Sequence, residues 1–146
     1  MTQGIYKIKS NTCIAPGIFK MIISGDTSAL TTPGQFVNIK IEGLYLRRPI
    51  SVCDYSNTEI TLIYKVVGDG TEIMSQMAEG DSLDVLVGLG NGFNISKSGD
   101  TALLIGGGVG IPPLYKLCKD LIENSKKVTV ILGFNTKSEI FYEDEF

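Results

Sequence analysis

With 146 residues, 43% of them apolar and 20% charged, the chain has room for one folded domain, or one domain with part of a second, and its composition excludes wholesale disorder. Thirteen basic against sixteen acidic residues leave a net charge of −3, without the basic excess of a dedicated nucleic-acid binder. The absence of histidine excludes Ser-His-Asp and Cys-His catalysis, His-ligated zinc and an imidazole base near neutral pH.

Chemistry must therefore come from other side chains, from the backbone or from a cofactor. Cys13, Cys53 and Cys118 are far apart in sequence and form no C-x-x-C clip, so no local zinc or iron–sulfur pattern exists. Such a sparse, odd set suits a reduced, cytoplasmic protein better than a disulfide framework. The segment from Met1 to Lys9 lacks the apolar core of a signal peptide, and no apolar run reaches membrane-span length. No membrane association is expected.

Short apolar or alternating runs predict strands at Ile5–Ile8, Ile18–Ile23, Phe36–Ile41, Ile60–Val67 and Leu83–Leu89. Ala15-Pro16-Gly17, Thr32-Pro33-Gly34, Gly68-Asp69-Gly70 and Gly88-Leu89-Gly90-Asn91-Gly92 punctuate them. This spacing predicts a small antiparallel barrel or sandwich. A short helix is expected over Thr71–Ala78, capped by Asp69 or Thr71, with Met74 and Met77 in the core.

After Gly99 the pattern changes. Thr101–Ile105 reads as a buried strand, followed by Gly106-Gly107-Gly108-Val109-Gly110 and a helix from Ile111-Pro112-Pro113 to about Asn124. Leu114, Leu117, Cys118, Leu121 and Ile122 form its apolar stripe. Val128–Leu132 reads as a second strand, parallel to the first, and Ser138–Phe146 as the start of another helix. Two parallel strands and one helix cannot cover both faces of a parallel sheet. The chain is therefore expected to be a fragment of a longer protein, or to have a partner that supplies the missing layers.

Three features point to a nucleotide. The turn at Gly106–Gly110 joins a strand to a helix and lets backbone amides approach a phosphate, although Ile111 stands where G-x-G-x-x-G has its third glycine. A tight strand–helix turn without ligand is the alternative. In Leu46-Arg47-Arg48-Pro49-Ile50-Ser51, an arginine fixed on a strand suits bidentate phosphate contact, and Ser51 offers a hydroxyl to a ring heteroatom. A solvated edge strand explains the same residues, and Pro49 favours an edge. Gly68-Asp69-Gly70-Thr71 places free amides at a helix start, which simple capping also explains. Together, and without acid–base groups, they point to a nucleotide cofactor that performs the chemistry. Tyr64 is the tyrosine expected near a flat cofactor, and the cysteines are expected to be structural.

In its order of segments the chain resembles the ferredoxin–NADP reductase superfamily. Within it, the chain resembles the electron-transfer subunits of NAD-linked dihydroorotate dehydrogenases. Ala15-Pro16-Gly17, Pro33-Gly34-Gln35-Phe36, Arg47-Arg48-Pro49-Ile50-Ser51, Gly68-Asp69-Gly70-Thr71 and Leu89-Gly90-Asn91-Gly92-Phe93 carry the resemblance in order across essentially the whole chain. Ile50 replaces the tyrosine of the superfamily motif.

The resemblance implies an antiparallel, Greek-key type β-barrel FAD domain over residues 1–97 and an incomplete NAD-binding α/β domain over 98–146. Arg48 would hold the FAD diphosphate, Pro49 and Ile50 would shape the pocket, and Ser51 would meet the reactive edge of the isoalloxazine. Ile63, Tyr64 and Lys65 would line the flavin, and Gly70 and Thr71 would present helix-end donors. Gly106, Gly107, Gly108 and Gly110 would face the nicotinamide dinucleotide.

A catalytic dihydroorotate dehydrogenase subunit, in a heterotetramer, is the implied partner. A [2Fe–2S] centre is implied too, but its ligands are absent from this chain. The reductase component of another flavin or iron–sulfur system, or a non-enzymatic β-domain interaction module, are the alternatives.

Overall fold

In the computed structural model, which describes residues 1–146, period-two alternation builds six strands of one antiparallel sheet. They are β1 (Thr2–Ala15), β2 (Ile18–Ser24), β3 (Phe36–Lys40), β4 (Arg48–Tyr55), β5 (Glu59–Lys65) and β6 (Ser82–Leu89). The order β1-β2-β5-β4-β3-β6 closes the sheet into a barrel, and the return of β5 beside β2, across β3 and β4, makes it a Greek key. Val37 and Ile39, Ile60 and Leu62, and Leu83, Val85 and Val87 point into its core.

Two strands depart from the apolar runs. β1 is longer than Ile5–Ile8 because it serves two partners: Thr2–Lys7 pair with β6 and Lys7–Ala15 with β2. Burial therefore changes sides along it, and alternation fades after Ile8. β4 carries Pro49 and a bulge at Cys53, which break the period that would have marked it.

Helix α1 (Asp69–Gln76) closes one end of the barrel and buries Met74 completely. Asp69 is not its cap. Asp69 is the first helical residue and Gly68 the cap position, while the Thr71 hydroxyl accepts from the Val67 and Gly68 amides at 2.9 and 3.2 Å. Met77 is only partly buried against the same core.

The remainder is a parallel βαβ unit of β7 (Thr101–Gly107), α2 (Pro112–Glu123) and β8 (Lys127–Gly133), in register from Thr101↔Lys127 to Gly107↔Gly133. Leu114, Leu117, Cys118 and Leu121 pack on Leu104, whereas Ile122, the last member of the expected stripe, is exposed. One sheet face lies under α2, and on the other Leu103, Ile105 and Ile131 are exposed.

No helix continues over Ser138–Phe146. A single 3₁₀ turn at Lys137–Glu139 is followed by an irregular segment in which the adjacent Phe141 and Tyr142 are both buried. Burying two consecutive side chains, with Tyr142 at φ 63°, takes the backbone out of the helical path. These aromatics join Ala15, Ile18, Cys53, Ile63 and Ile111 in a second apolar cluster that binds the barrel to the βαβ unit. Lys119 of α2 adds an ion pair to Asp54 of β4 at 2.7 Å.

Candidate functional site

The barrel is closed, but one of its ladders opens. β4 pairs with β3 through Arg48–Ser51 and with β5 only from Val52 onward. The bulge at Cys53 sends Val52 into the barrel core and Cys53 outward into the second cluster. Before that bulge, Arg48–Ser51 have no partner on β5, and Ile63–Lys65 face them across a gap while staying paired to β2. Pro49 is tolerated there because it has no N–H to strand on the open flank. The edge character read from Pro49 is thus correct for one side of half a strand; β4 itself lies between two neighbours.

The gap is a cavity of about 310 Å³. It is lined by Arg48, Pro49, Ile50, Ser51, Ile63, Tyr64, Lys65 and Thr71, all expected site residues, together with Val67 and Val109. Its charged lining is Arg48 and Lys65; Lys65 pairs with Glu139 at 3.9 Å, and Arg48, which has no carboxylate partner, is the charge that favours an anion. Arg48 is fixed from two directions: its Nη1 donates to the Leu46 carbonyl at 2.6 Å, and its stem lies against the bare α-carbon of Gly70. A Cβ on Gly70 would fall 2.9 Å from both Cγ and Cδ of Arg48. Gly70, also an expected site residue, does not itself line the cavity; the Arg48 side chain lies against the first turn of α1, the end of the helix where the dipole is positive.

A dinucleotide flavin fits these residues. Two strand backbones without ladder partners offer donors and acceptors to a heteroaromatic ring, and the Arg48–α1 corner offers charge and amides to a diphosphate. Arg47, by contrast, turns away and ties β3 to β6, donating to Asn38 O at 3.3 Å, Asp84 O at 3.1 Å and Asp84 Oδ1 at 3.1 Å. Desolvation raises the Asp84 carboxyl, but hydrogen bonds from Gln3 and Arg47 outweigh it and hold Asp84 below the usual range.

A second cavity, of about 540 Å³, lies where the C-terminal ends of β7 and β8 meet the barrel. Gly107, Gly108, Gly133, Phe134 and Asn135 line it from the βαβ unit, and Ile18 and Lys65 from the barrel. Carboxyl ends of parallel strands are where nucleotides bind in open α/β sheets. The four glycines expected here divide. Gly107 and Gly108 line the cavity, with Gly108 at φ 50°. Gly106 does not line it: a Cβ there would fall 2.7 Å from Leu114 Cδ1, so that glycine lets α2 pack down. Gly110 closes the 3₁₀ turn Gly108–Gly110 and lines neither cavity. Lys65 and Val109 border both cavities, so the two adjoin there.

Tyr64 is buried and stacked on Phe19 at 5.8 Å. Burial pushes its hydroxyl up to about 12, partly offset by its bond to Asn11. Tyr45 is wholly exposed. Cys53 and Cys118 are buried and Cys13 is exposed. No three His, Cys, Asp or Glu side chains come together as a metal site, so the residues present do not fit an iron–sulfur cluster. Val67, Val109 and Glu139 escaped the sequence reading. Val109 interrupts the glycine run and so carried a signal, whereas Val67 and Glu139 reach the cavities only through the fold.

A closed Greek-key barrel followed by a parallel βαβ unit with a glycine-rich turn is the architecture of the ferredoxin–NADP reductase-like oxidoreductases. It superposes with a TM-score of 0.87 and 36% identity on a solved NADH-dependent reduced ferredoxin–NADP oxidoreductase, described for flavin-based electron bifurcation, covering 98% of this chain and 53% of that one. A ferredoxin NADP⁺ reductase from Neisseria gonorrhoeae with bound FAD and NADP shares the fold at a TM-score of 0.83 and 20% identity, covering 99% of this chain and 63% of that one. Residues 104–146 match the family model "Oxidoreductase NAD-binding domain".

By sequence the chain is similar to the electron-transfer subunits of dihydroorotate dehydrogenase B (NAD⁺). It is 45% identical to the one from Fusobacterium nucleatum subsp. nucleatum, over 95% of this chain and 57% of the relative. It is 44% identical to that of Listeria innocua, over 99% of this chain and 59% of the relative. The chain thus spans less than two thirds of the curated relatives it matches.

Proposed function

We propose that this chain is the flavin-binding part of an electron-transfer subunit that passes electrons between a dihydroorotate-oxidising catalytic subunit and NAD in pyrimidine biosynthesis. The observation that carries the reading is the open β4/β5 ladder whose mouth is held by Arg48 against Gly70. FAD, when bound, supplies the redox chemistry that a chain without histidine lacks.

Arg48 pairs with the diphosphate, and the amides at Gly70 and Thr71 share its charge. Pro49 and Ile50 form one wall, and Ile63, Tyr64 and Lys65 the other. Ser51 meets the polar edge of the ring. Gly107 and Gly108 bring backbone close to a nicotinamide dinucleotide in the adjoining cavity, with Gly106 and Gly110 shaping that turn. The division of labour falls at 97/98, barrel for the flavin and βαβ unit for NAD. Lys65 and Val109, common to both cavities, would lie between the flavin and the nicotinamide nucleotide.

On this reading the oxidation of dihydroorotate itself belongs to a catalytic subunit, with which the complete protein forms a cytoplasmic heterotetramer. An iron–sulfur centre finds no donor set here, and no step runs through one.

The 36% likeness to the reduced ferredoxin–NADP oxidoreductase favours one other reading, the reductase component of a different electron-transfer system. The co-purifying partner separates the two. The central test is the absorbance spectrum of the purified protein with the mass of any released cofactor. A yellow protein releasing FAD is expected, and Arg48→Ala is expected to lose most of it. Protein that takes up no flavin after incubation with FAD refutes the proposal.

A further inference from the structure

Helix α1 is held at both ends, and only its N-terminal end touches the cleft. Its last turn carries no basic side chain, and the Met74 carbonyl accepts one backbone bond, from the Met77 amide at 3.1 Å. Asn11, on β1, adds to it. Its amide Nδ2 donates to the Met74 carbonyl at 2.8 Å and to the Met77 carbonyl at 2.9 Å, which uses both of its N–H groups. Its Oδ1 accepts from the Tyr64 hydroxyl at 3.0 Å. One side chain thus joins the C-terminal end of α1 to the β5 tyrosine beside the cavity.

The helix has eight residues, roughly 12 Å at the usual rise, so a clasp at one end fixes where the amides at the other end lie. That other end holds Gly70, packed against the Arg48 side chain, and Thr71, which lines the cleft beside it. Without the clasp, α1 keeps the Thr71 cap and the buried Met74 but gains freedom to slide and tilt.

We infer that Asn11 is a positioning residue for the diphosphate end of the cleft: it touches no ligand and acts by setting the register of α1 against Arg48. The inference rests on the flavin reading above. Its chemistry is particular, because only a side chain with two amide N–H donors and an acceptor satisfies two carbonyls and a phenol together.

The test is Asn11→Asp, which keeps the shape and the acceptor for Tyr64 but removes both donors and sets a carboxylate against two carbonyls. FAD is titrated into the purified protein by its fluorescence, and the bound flavin is read by its visible absorption bands and by the ³¹P resonances of its diphosphate. Loss of two hydrogen bonds is expected to weaken FAD about tenfold. The ³¹P lines should move while the visible bands stay where they are in the wild type. An unchanged affinity in a folded variant overturns the inference. So does a shift of the visible bands together with the affinity, which would mean general damage to the ring pocket.

Should the aspartate variant not fold, Asn11→Ser keeps one donor and is expected to give the same pattern at about threefold. Wild-type protein that takes up no FAD is a separate result: it refutes the flavin reading itself and the clasp with it.

Discussion

Replacing Gly70 by alanine separates fold from function at one atom. Gly70 sits in the first turn of α1, outside the left-handed region, so alanine meets no backbone strain there. Helix propensity alone favours the variant by up to about 1 kcal/mol. Against this, the new Cβ falls 2.9 Å from Cγ and Cδ of Arg48 and closer still to Nε. Such contacts do not persist, and the arginine, being the flexible partner, gives way. The fold should therefore survive with its melting temperature unchanged or slightly raised, while Arg48 leaves the cleft mouth. A charge-assisted hydrogen bond is worth about 1.5–3 kcal/mol, so FAD affinity should fall roughly 10- to 150-fold. Fluorescence titration with FAD, beside thermal melts by circular dichroism, measures both arms. A double-mutant cycle then isolates the cause: on an Arg48→Ala background, Gly70→Ala should add nothing. Wild-type affinity in Gly70→Ala, or penalties that add in full, would refute the argument.

The cluster joining the barrel to the βαβ unit should be equally measurable: Ile111 is wholly inaccessible, and Ile111→Ala should cost about 2–5 kcal/mol in urea unfolding. A loss below 1 kcal/mol would mean that the two parts are not packed as described. Cysteine alkylation followed by mass spectrometry should mark Cys13 alone at pH 8, since Cys13 is exposed and Cys53 and Cys118 are not. Burial, partly offset by a hydrogen bond with Tyr142, pushes the Cys53 thiol from 9.0 up to about 12. Its protonated form thus supports the fold fully below about pH 9, and that support is lost as pH rises toward 12. Cys53 should label only as alkaline unfolding begins, and rapid labelling at pH 8 would contradict the packing.

How much of this was written locally follows from which contacts are local. β6 carries clean alternation because it keeps one face in the barrel core, β5 alternates only as far as Leu62 because Ile63 is claimed by the second cluster, and the βαβ unit follows from two apolar runs about a glycine turn and a striped helix. Arg48, Ser51 and Thr71 could be singled out from sequence, each beside an ordinary alternative, a solvated edge strand or a simple cap; only the fold sets them around one cavity, where the Thr71 hydroxyl also caps α1. The opening of the β4/β5 ladder was not legible. It depends on pairing register between segments far apart in sequence and on a bulge that no single residue announces. Asn11 was hidden for the same reason, as its three partners lie 53 to 66 positions away. The expected final helix failed because acidic and polar residues from Ser138 onward permit one, whereas Phe141 and Tyr142 are claimed by a cluster formed with the barrel.

A closed barrel ordinarily removes every strand edge, and an open edge invites pairing with another chain. This barrel restores one edge on a few residues, and the surroundings decide what can use it. The gap is too short for another strand to add to with profit, it is flanked by Arg48 and Lys65, and Val109 of the βαβ unit stands across it. A hydrophobic strand would bury the Arg48 guanidinium there without a counter-charge, which is costly, whereas Lys65 already has Glu139 at 3.9 Å. A planar ring with heteroatoms on its edge can satisfy the freed backbone groups, and a diphosphate can satisfy the charges. The same local failure of sheet closure that weakens the barrel thus selects a dinucleotide over a peptide. On the proposed reading, the cavity that adjoins at Lys65 and Val109 is where a second nucleotide would meet such a ring.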